Sequence, residues 1–182
     1  MRLIIISGRS GSGKTIALNA LEDLGFYCID NLPVSFLPAL EDELGKHHAS
    51  VAVSIDVRNA PIDPLHFKAL LDALSQVRKN CEIVYLDADE NVLLHRFSET
   101  RRKHPLSDKH ITLKEAIQKE KDILTPIAAL ANLMIDTSTK TPQELYQFIR
   151  DRIVHHDEEK IQLTLLSFGF KKRFTARCRF YF

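Results

Sequence analysis

The chain has 182 residues, 45% of them apolar and 27% charged, which suits one globular domain with a full core. No run approaches the roughly 20 apolar residues needed to cross a bilayer, and the three scattered cysteines, Cys28, Cys81 and Cys178, argue against a disulfide framework and for a reducing, cytoplasmic setting. The net charge of +1 is uneven: the last twelve residues, "KKRFTARCRFYF", hold five Lys/Arg, leaving 20 basic groups against 24 acidic ones in the body.

The first element is "RLIIIS" (2–7). Its apolar run stops in a Gly/Ser/Lys loop with no cleavage site, so it reads as a strand rather than a leader. The loop is "GRSGSGKT", Gly8 to Thr15, which satisfies G-x-x-x-x-G-K-[ST] between a strand and a helix expected at 14–24. Gly8, Gly11 and Gly13 permit the close backbone approach that a Cβ would block. The amides of the loop, including those of Arg9, Ser10 and Ser12, join the helix N-terminus in presenting positive charge to a phosphate chain. Lys14 reaches the terminal phosphates, and the Thr15 hydroxyl is placed to ligate Mg²⁺.

Further strands are expected at 27–30, 50–57, 82–88 and 133–137, and helices at 35–46, 64–78, 90–102, 112–124 and 141–154. Thr112 with Glu115 forms a capping box, and Thr141-Pro142 with Glu144 starts the last helix. Alternating buried strands and helices predict an α/β fold: a P-loop NTPase, kinase-like, with a parallel sheet and helices on both faces.

In such sheets ligands gather at the carboxyl ends of the strands, where Asp30, Asp56 and Asp87 are expected. Asp56 is the first choice as acidic partner of the metal and its water, with a strand-end cap as the competing role for each. In "DVRN", Asp56 to Asn59, Arg58 suits a phosphate while Asp56 and Asn59 suit a base edge or ribose. A solvated turn before Pro61 explains the same residues. In "HRFSETRRKHP" (95–105), Arg96, Arg101 and Arg102 suit an arginine-bearing lid or a solvated helix end where the dipole favours cations. The pairs His47-His48 and His155-His156 do not share a helix face and are expected at the surface.

The strings "SGRSGSGKTIALNALEDLGFYCIDNLP", "VSIDVRN", "YLDAD", "RRKHPLS" and "LMIDTS" together closely resemble the RapZ family, bacterial RNase adapters and P-loop nucleotide-binding proteins. The matches run in order from residue 1 to about 170. The resemblance implies ATP at Gly8 to Thr15, a GTP-associated motif at Asp56, Val57, Arg58 and Asn59, and weak NTP hydrolysis. It also implies an adapter that binds small regulatory RNA and presents it to an endoribonuclease, mainly through a C-terminal domain, with a homo-oligomeric full-length protein. A true P-loop kinase of a small molecule or a nucleotide is the rival reading, and an inactive product of a damaged gene is a third.

Residues 1–154 are read as the nucleotide-binding domain and 155–182 as the start of a further domain, with "HHDEEK" (155–160) as boundary and "IQLTLLSFGF" (161–170) as its first strand. After Lys171 the text departs from the family's continuation. One base deleted from a plausible A-run restores a family-like reading, so 171–182 is expected to be an out-of-frame tail rather than an RNA-binding arm. Sequencing the gene tests this: a shifted open frame should continue downstream, and a clean reading without one would remove the idea.

Overall fold

Four consecutive apolar residues, Leu3 to Ile6, cannot alternate between core and solvent, and all four are at most 1% exposed. They form the middle of β1 (Arg2–Gly8), the central strand of a five-stranded sheet. The others are β2 (Tyr27–Ile29), β3 (Ser50–Ile55), β4 (Cys81–Asp87) and β5 (Leu133–Asp136), in the order β2-β3-β1-β4-β5. Every pairing is parallel, with Ile5 opposite Val53 on one side and Ile83 on the other. In the computed structural model, residues 1–60, 69, 71–72, 80–100, 102–108 and 110–154 are described. Most of the helix expected at 64–78, Arg101, His155-His156, Cys178, the boundary at 155–160, the strand at 161–170 and the basic tail lie outside them.

The described helices are α1 (Lys14–Asp23), α2 (Leu37–Leu44), α3 (Glu90–Thr100), α4 (Leu113–Ala129) and α5 (Pro142–Val154). Ile4 and Ile6 pack with Leu21 of α1 and with Leu145 and Ile149 of α5. Leu3 and Ile5 point the other way, against Leu37 and Leu40 of α2 and Leu124 and Ile127 of α4. Helices therefore cover both faces, as continuous apolar strands require. A smaller cluster of Ala88, Leu93, Phe97 and Ile117 joins α3 to α4 beyond the end of β4. Among the described residues no helix is long and apolar enough to cross a membrane.

The boundaries follow the sequence with two instructive departures. The segment expected as one helix from 35 begins with a 3-10 turn, Val34–Phe36, before α2. The helix expected to stop at 124 continues to Ala129 with Pro126 inside it. Proline removes one backbone donor, but Leu124 and Ile127 are fully buried on either side of it, and their burial holds the last turn down. The Thr125 hydroxyl donates to the Lys121 carbonyl at 2.8 Å. Both capping boxes form: Glu115 N–H donates to Thr112 Oγ1 at 3.3 Å and Glu144 N–H to Thr141 Oγ1 at 3.2 Å, with each glutamate accepting from its threonine's N–H in return.

His47 is exposed, and His48 stacks on Tyr27 with ring centroids 4.2 Å apart. Burial pushes the thiols of Cys28 and Cys81 up to about 11, so both stay protonated and inert at neutral pH.

The central strand should dominate stability. Ile5→Ala is expected to cost about 2–5 kcal/mol through transfer and cavity terms. Phe36→Ala, at a side chain 57% exposed, should cost under about 1 kcal/mol. Urea unfolding of the two variants checks the contrast, and equal losses would contradict this placement of the core.

Candidate functional site

Five parallel strands end along one edge of the sheet, and their last or following residues are Gly8, Asp30, Asp56, Asp87 and Thr137. The loop from Gly8 to Gly13 turns β1 into α1 there. Gly8 has φ +144°, and a Cβ on it would lie 2.0 Å from the Leu86 carbonyl oxygen of β4. That contact is with backbone, which cannot swing aside, so only glycine fits. Gly13 is the N-cap of α1 in the left-handed region and offers no side chain to the helix end. The first turn of α1 carries no acidic residue, so its positive end stays available to an outside anion.

Four residues of the loop, Arg9 to Ser12, are gripped by other parts of the fold. Arg9 is only 5% exposed; its Nε donates to Asp87 Oδ1 at 2.6 Å, and its Nη2 donates to the Ala88 carbonyl. Ser10 gives its N–H to Glu120 Oε2 at 2.9 Å and its hydroxyl to Glu120 Oε1 at 2.7 Å. The Gly11 carbonyl accepts from Arg96 Nη1 at 3.0 Å. The Ser12 carbonyl accepts from the Thr137 hydroxyl at 3.0 Å, and Arg96 Nη2 donates to the Thr137 carbonyl at 2.6 Å. The ends of β4 and β5 and the helices α3 and α4 thus hold the loop open from outside. The side chains of Arg9, Ser10 and Ser12 are turned inward, and two loop amides are spent within the fold, that of Ser10 on Glu120 and that of Ser12 on the Arg9 carbonyl at 3.1 Å. Ser12 Oγ is buried with no hydrogen-bond partner.

Lys14 Nζ donates to the Gly8 carbonyl at 2.8 Å and the Arg9 carbonyl at 3.2 Å. Burial lowers its pKa from the ordinary 10.5, against the attraction of Glu120, Asp56 and Asp30. The first residue of α1 is therefore a desolvated ammonium held over its own loop. Thr15 is exposed beside it.

The three strand-end aspartates have separate partners. Asp87 holds Arg9, and Asp30, exposed, accepts from the Ser54 hydroxyl. Asp56 is 5% exposed. Its Oδ1 accepts from Arg58 N–H at 2.9 Å, and its Oδ2 accepts from Arg58 Nε at 2.9 Å and from Nη2. With its amide nitrogen turned toward Asp56, Asn31 donates to Oδ1 at 2.8 Å, an orientation assigned from the hydrogen-bond network. Asn59 Nδ2 donates to the Asn31 carbonyl at 3.1 Å, and Asn31 itself has φ +57°. Val57 is buried in the core. Within "DVRN" the charges of Asp56 and Arg58 neutralise one another.

Arg96, grouped with Arg102 in the sequence, is spent on holding the loop, whereas Arg102 is exposed. No sequence motif assigns a role to Glu120, His104 or Thr137. Glu120 had a signal: it is the charged member of an apolar helical stripe with Ala116, Ile117, Leu124 and Ile127, all fully buried. His104, 1% exposed, meets it at 3.0 Å through Nε2.

Comparison with known proteins gives three findings. The model of the RapZ-like N-terminal domain family matches residues 1–157. Curated relatives include the RNase adapter protein RapZ of Serratia proteamaculans, 48% identical over 171 residues, and a nucleotide-binding protein of Pseudoalteromonas atlantica, 50% identical over 171 residues. Each alignment covers 94% of this chain and 60% of the relative, so the chain spans about three fifths of their length. Similar solved structures include shikimate kinase from Acinetobacter baumannii in complex with shikimate and a gluconokinase from Sinorhizobium meliloti, each with TM-score 0.58 and 17% identity. They cover 88% and 85% of this chain and 96% and 93% of their own. At that identity the likeness is one of fold, the P-loop kinase architecture.

The half-buried, desolvated ammonium has a pH signature. Native Lys14 gives up its proton at lower pH than the unfolded chain, so stability rises with pH between its lowered value and 10.5. Lys14→Met removes this linkage. Urea unfolding at a series of pH values should therefore show wild type gaining on the variant as pH climbs toward 10.5. Wild type losing ground over that range would mean that the loop carbonyls outweigh desolvation.

Proposed function

We propose, on the premise that this chain belongs to the family of RapZ-like N-terminal domains, that it binds ATP or GTP with Mg²⁺ at Gly8–Thr15 and hydrolyses it slowly. The observation that carries the reading is the outside bracing of the loop. A strand-to-helix turn needs no such bracing, whereas a cradle that must meet phosphate oxygens with fixed N–H groups does. The residues fit the ligand: Gly8 leaves the backbone bare, the end of α1 is uncapped, and Lys14 rests on two carbonyls that it can exchange for phosphate oxygens.

Mg²⁺ favours hard oxygen ligands and completes its shell with phosphates and water. Thr15 would supply its hydroxyl, and Asp56 would hold the metal's water. Among the described residues no group of three or more His, Cys, Asp or Glu could hold a metal by protein ligands alone, which suits an ion carried in by the nucleotide. Slow turnover follows from the state of the charges. Asp56 is neutralised by Arg58 and hydrogen-bonded by Asn31, and Arg96 is tied to the loop. Asp56 can act on the metal's water only once Arg58 has let go of it, and that rearrangement keeps turnover slow.

In this reading residues 1–154 form the nucleotide-responsive unit of an RNase adapter in the cytoplasm. Small regulatory RNA, an endoribonuclease and a homo-oligomeric state belong to the whole protein. A small-molecule kinase is the second reading, favoured by one observation: Asp30, Asn31, Asp56 and Asn59 meet beside the loop, where an acceptor hydroxyl would sit.

Titration with ATP·Mg and GTP·Mg, followed by phosphate release, tests these readings. Lys14→Ala should weaken binding by about tenfold or more, the worth of a charge-assisted hydrogen bond. Asp56→Asn should leave affinity nearly unchanged and lower phosphate release by about 100-fold. Binding that ignores Lys14 would end the nucleotide reading, and fast turnover only with an added hydroxyl metabolite would favour the kinase. A mobility shift of small RNA that responds to nucleotide would support the adapter.

A further inference from the structure

Glu120 is fully buried on α4 and takes no part in the phosphate chemistry proposed above. Its two oxygens serve two segments far apart in the chain. One segment is the phosphate loop, through the Ser10 hydroxyl on Oε1 and the Ser10 N–H on Oε2. The other is the stretch after α3, through His104 Nε2 on Oε2 at 3.0 Å. His104 Nδ1 accepts from Leu106 N–H at 3.1 Å, so a neutral ring carries its single proton on Nε2 and donates it to Glu120. The His104 carbonyl accepts from the Ser107 N–H at 3.0 Å and the Ser107 hydroxyl at 2.9 Å. The ring leans on Phe97, centroids 5.1 Å apart. Residues 104–107 are thus wound around one buried imidazole, while Arg102 and Lys103, just before it, are exposed.

A carboxylate buried only to stabilise a fold is readily replaced by an apolar side chain of similar volume. Here all three donors converge on one group, and two of them come from the loop that would receive phosphate. Resting on the reading of Gly8–Thr15 as a nucleotide loop, we infer that Glu120 and His104 are positioning residues that tie the Arg102–Lys103 stretch to Ser10, so that a bound nucleoside triphosphate is felt at that stretch. Phosphate arriving at the loop draws Lys14 from the Gly8 and Arg9 carbonyls and changes the load on Ser10. Glu120 moves with Ser10, and His104 moves with Glu120 because its only donor is spent there. By linkage, whatever engages Arg102 and Lys103 changes nucleotide affinity by the same factor.

The test uses the full chain and three variants. His104→Leu keeps volume without a donor, and His104→Gln restores an N–H donor. Glu120→Gln keeps the shape but cannot accept from all three donors. Two readouts are followed: hydrogen exchange at the Ser10 amide without nucleotide, and tryptic cleavage after Arg102 and Lys103 with and without ATP·Mg. In wild type, bound ATP·Mg should slow cleavage. In His104→Leu and Glu120→Gln, Ser10 exchange should rise by about tenfold, the worth of one lost buried hydrogen bond, and cleavage should no longer respond even at ATP·Mg raised to saturate the variant. His104→Gln should recover both responses, which a merely structural role for the ring does not require. Should His104→Leu fail to fold, Glu120→Gln and His104→Gln decide. Cleavage that ignores bound ATP in wild type, or still responds to it in the uncoupled variants, overturns the inference and leaves the nucleotide reading standing. Failure of wild type to bind ATP removes both.

Discussion

A glycine-rich turn between a strand and a helix has little side-chain bulk of its own to fix one shape. The fold meets this constraint by holding the loop from behind. Arg9, Ser10, Gly11 and Ser12 are each bonded by groups from another element: Asp87 and Ala88, Glu120, Arg96 and Thr137. Arg96 and Thr137 are further bonded to each other, so the supports of the loop support one another. Most of what surrounds the carboxyl edge of the sheet follows from this. α3 is placed so that Arg96 reaches Gly11, and α4 is placed so that a carboxylate lies beneath Ser10.

Such a scheme buries charge, which is costly unless every charge is matched. Arg9 is matched by Asp87 within a strand end, and Glu120 by three donors. Lys14 is the least settled: it has two carbonyl partners, and burial works against its charge. An ammonium in that state gains most from the arrival of anionic oxygens. The tension is local, and the central strands that carry the core are untouched by it. This is the expected division between a rigid sheet and a site built at its edge.

At the neighbouring edge, "DVRN" folds its charges onto itself. The Arg58 guanidinium is 57% exposed while the Asp56 carboxylate beneath it is 7% exposed. The arginine is the movable partner and the aspartate the fixed one. The corner is therefore closed on itself, with the arginine as its outer member. Asp30, Asp56 and Asp87 looked equivalent in the sequence because all three end apolar runs. Only the partners across strands separate them: Ser54 from the adjacent strand, Arg58 and Asn31 at the corner, Arg9 from the loop.

Local pattern determined a good deal by itself. Unbroken apolar strands dictated a sheet covered on both faces, because backbone hydrogen bonding and side-chain burial admit no other arrangement for them. The two capping boxes could be read because both partners lie within one helical turn. The glycines of "GRSGSGKT" were legible because their demand is steric and concerns the backbone alone. What the sequence could not show was which side chains cross between segments. Arg96 looked like a neighbour of Arg102, yet one braces the loop and the other meets solvent, because adjacent turns of α3 and the stretch beyond it face different surroundings. Glu120 stood out only as a charge in an apolar stripe, and nothing local linked it to Ser10 or His104. The end of α4 lies beyond the expected 124 because the burial of Ile127, which packing decides, outweighs the backbone donor that Pro126 lacks. Contacts over long separation depend on how the elements are stacked, and that stacking exists only once the whole sheet has formed.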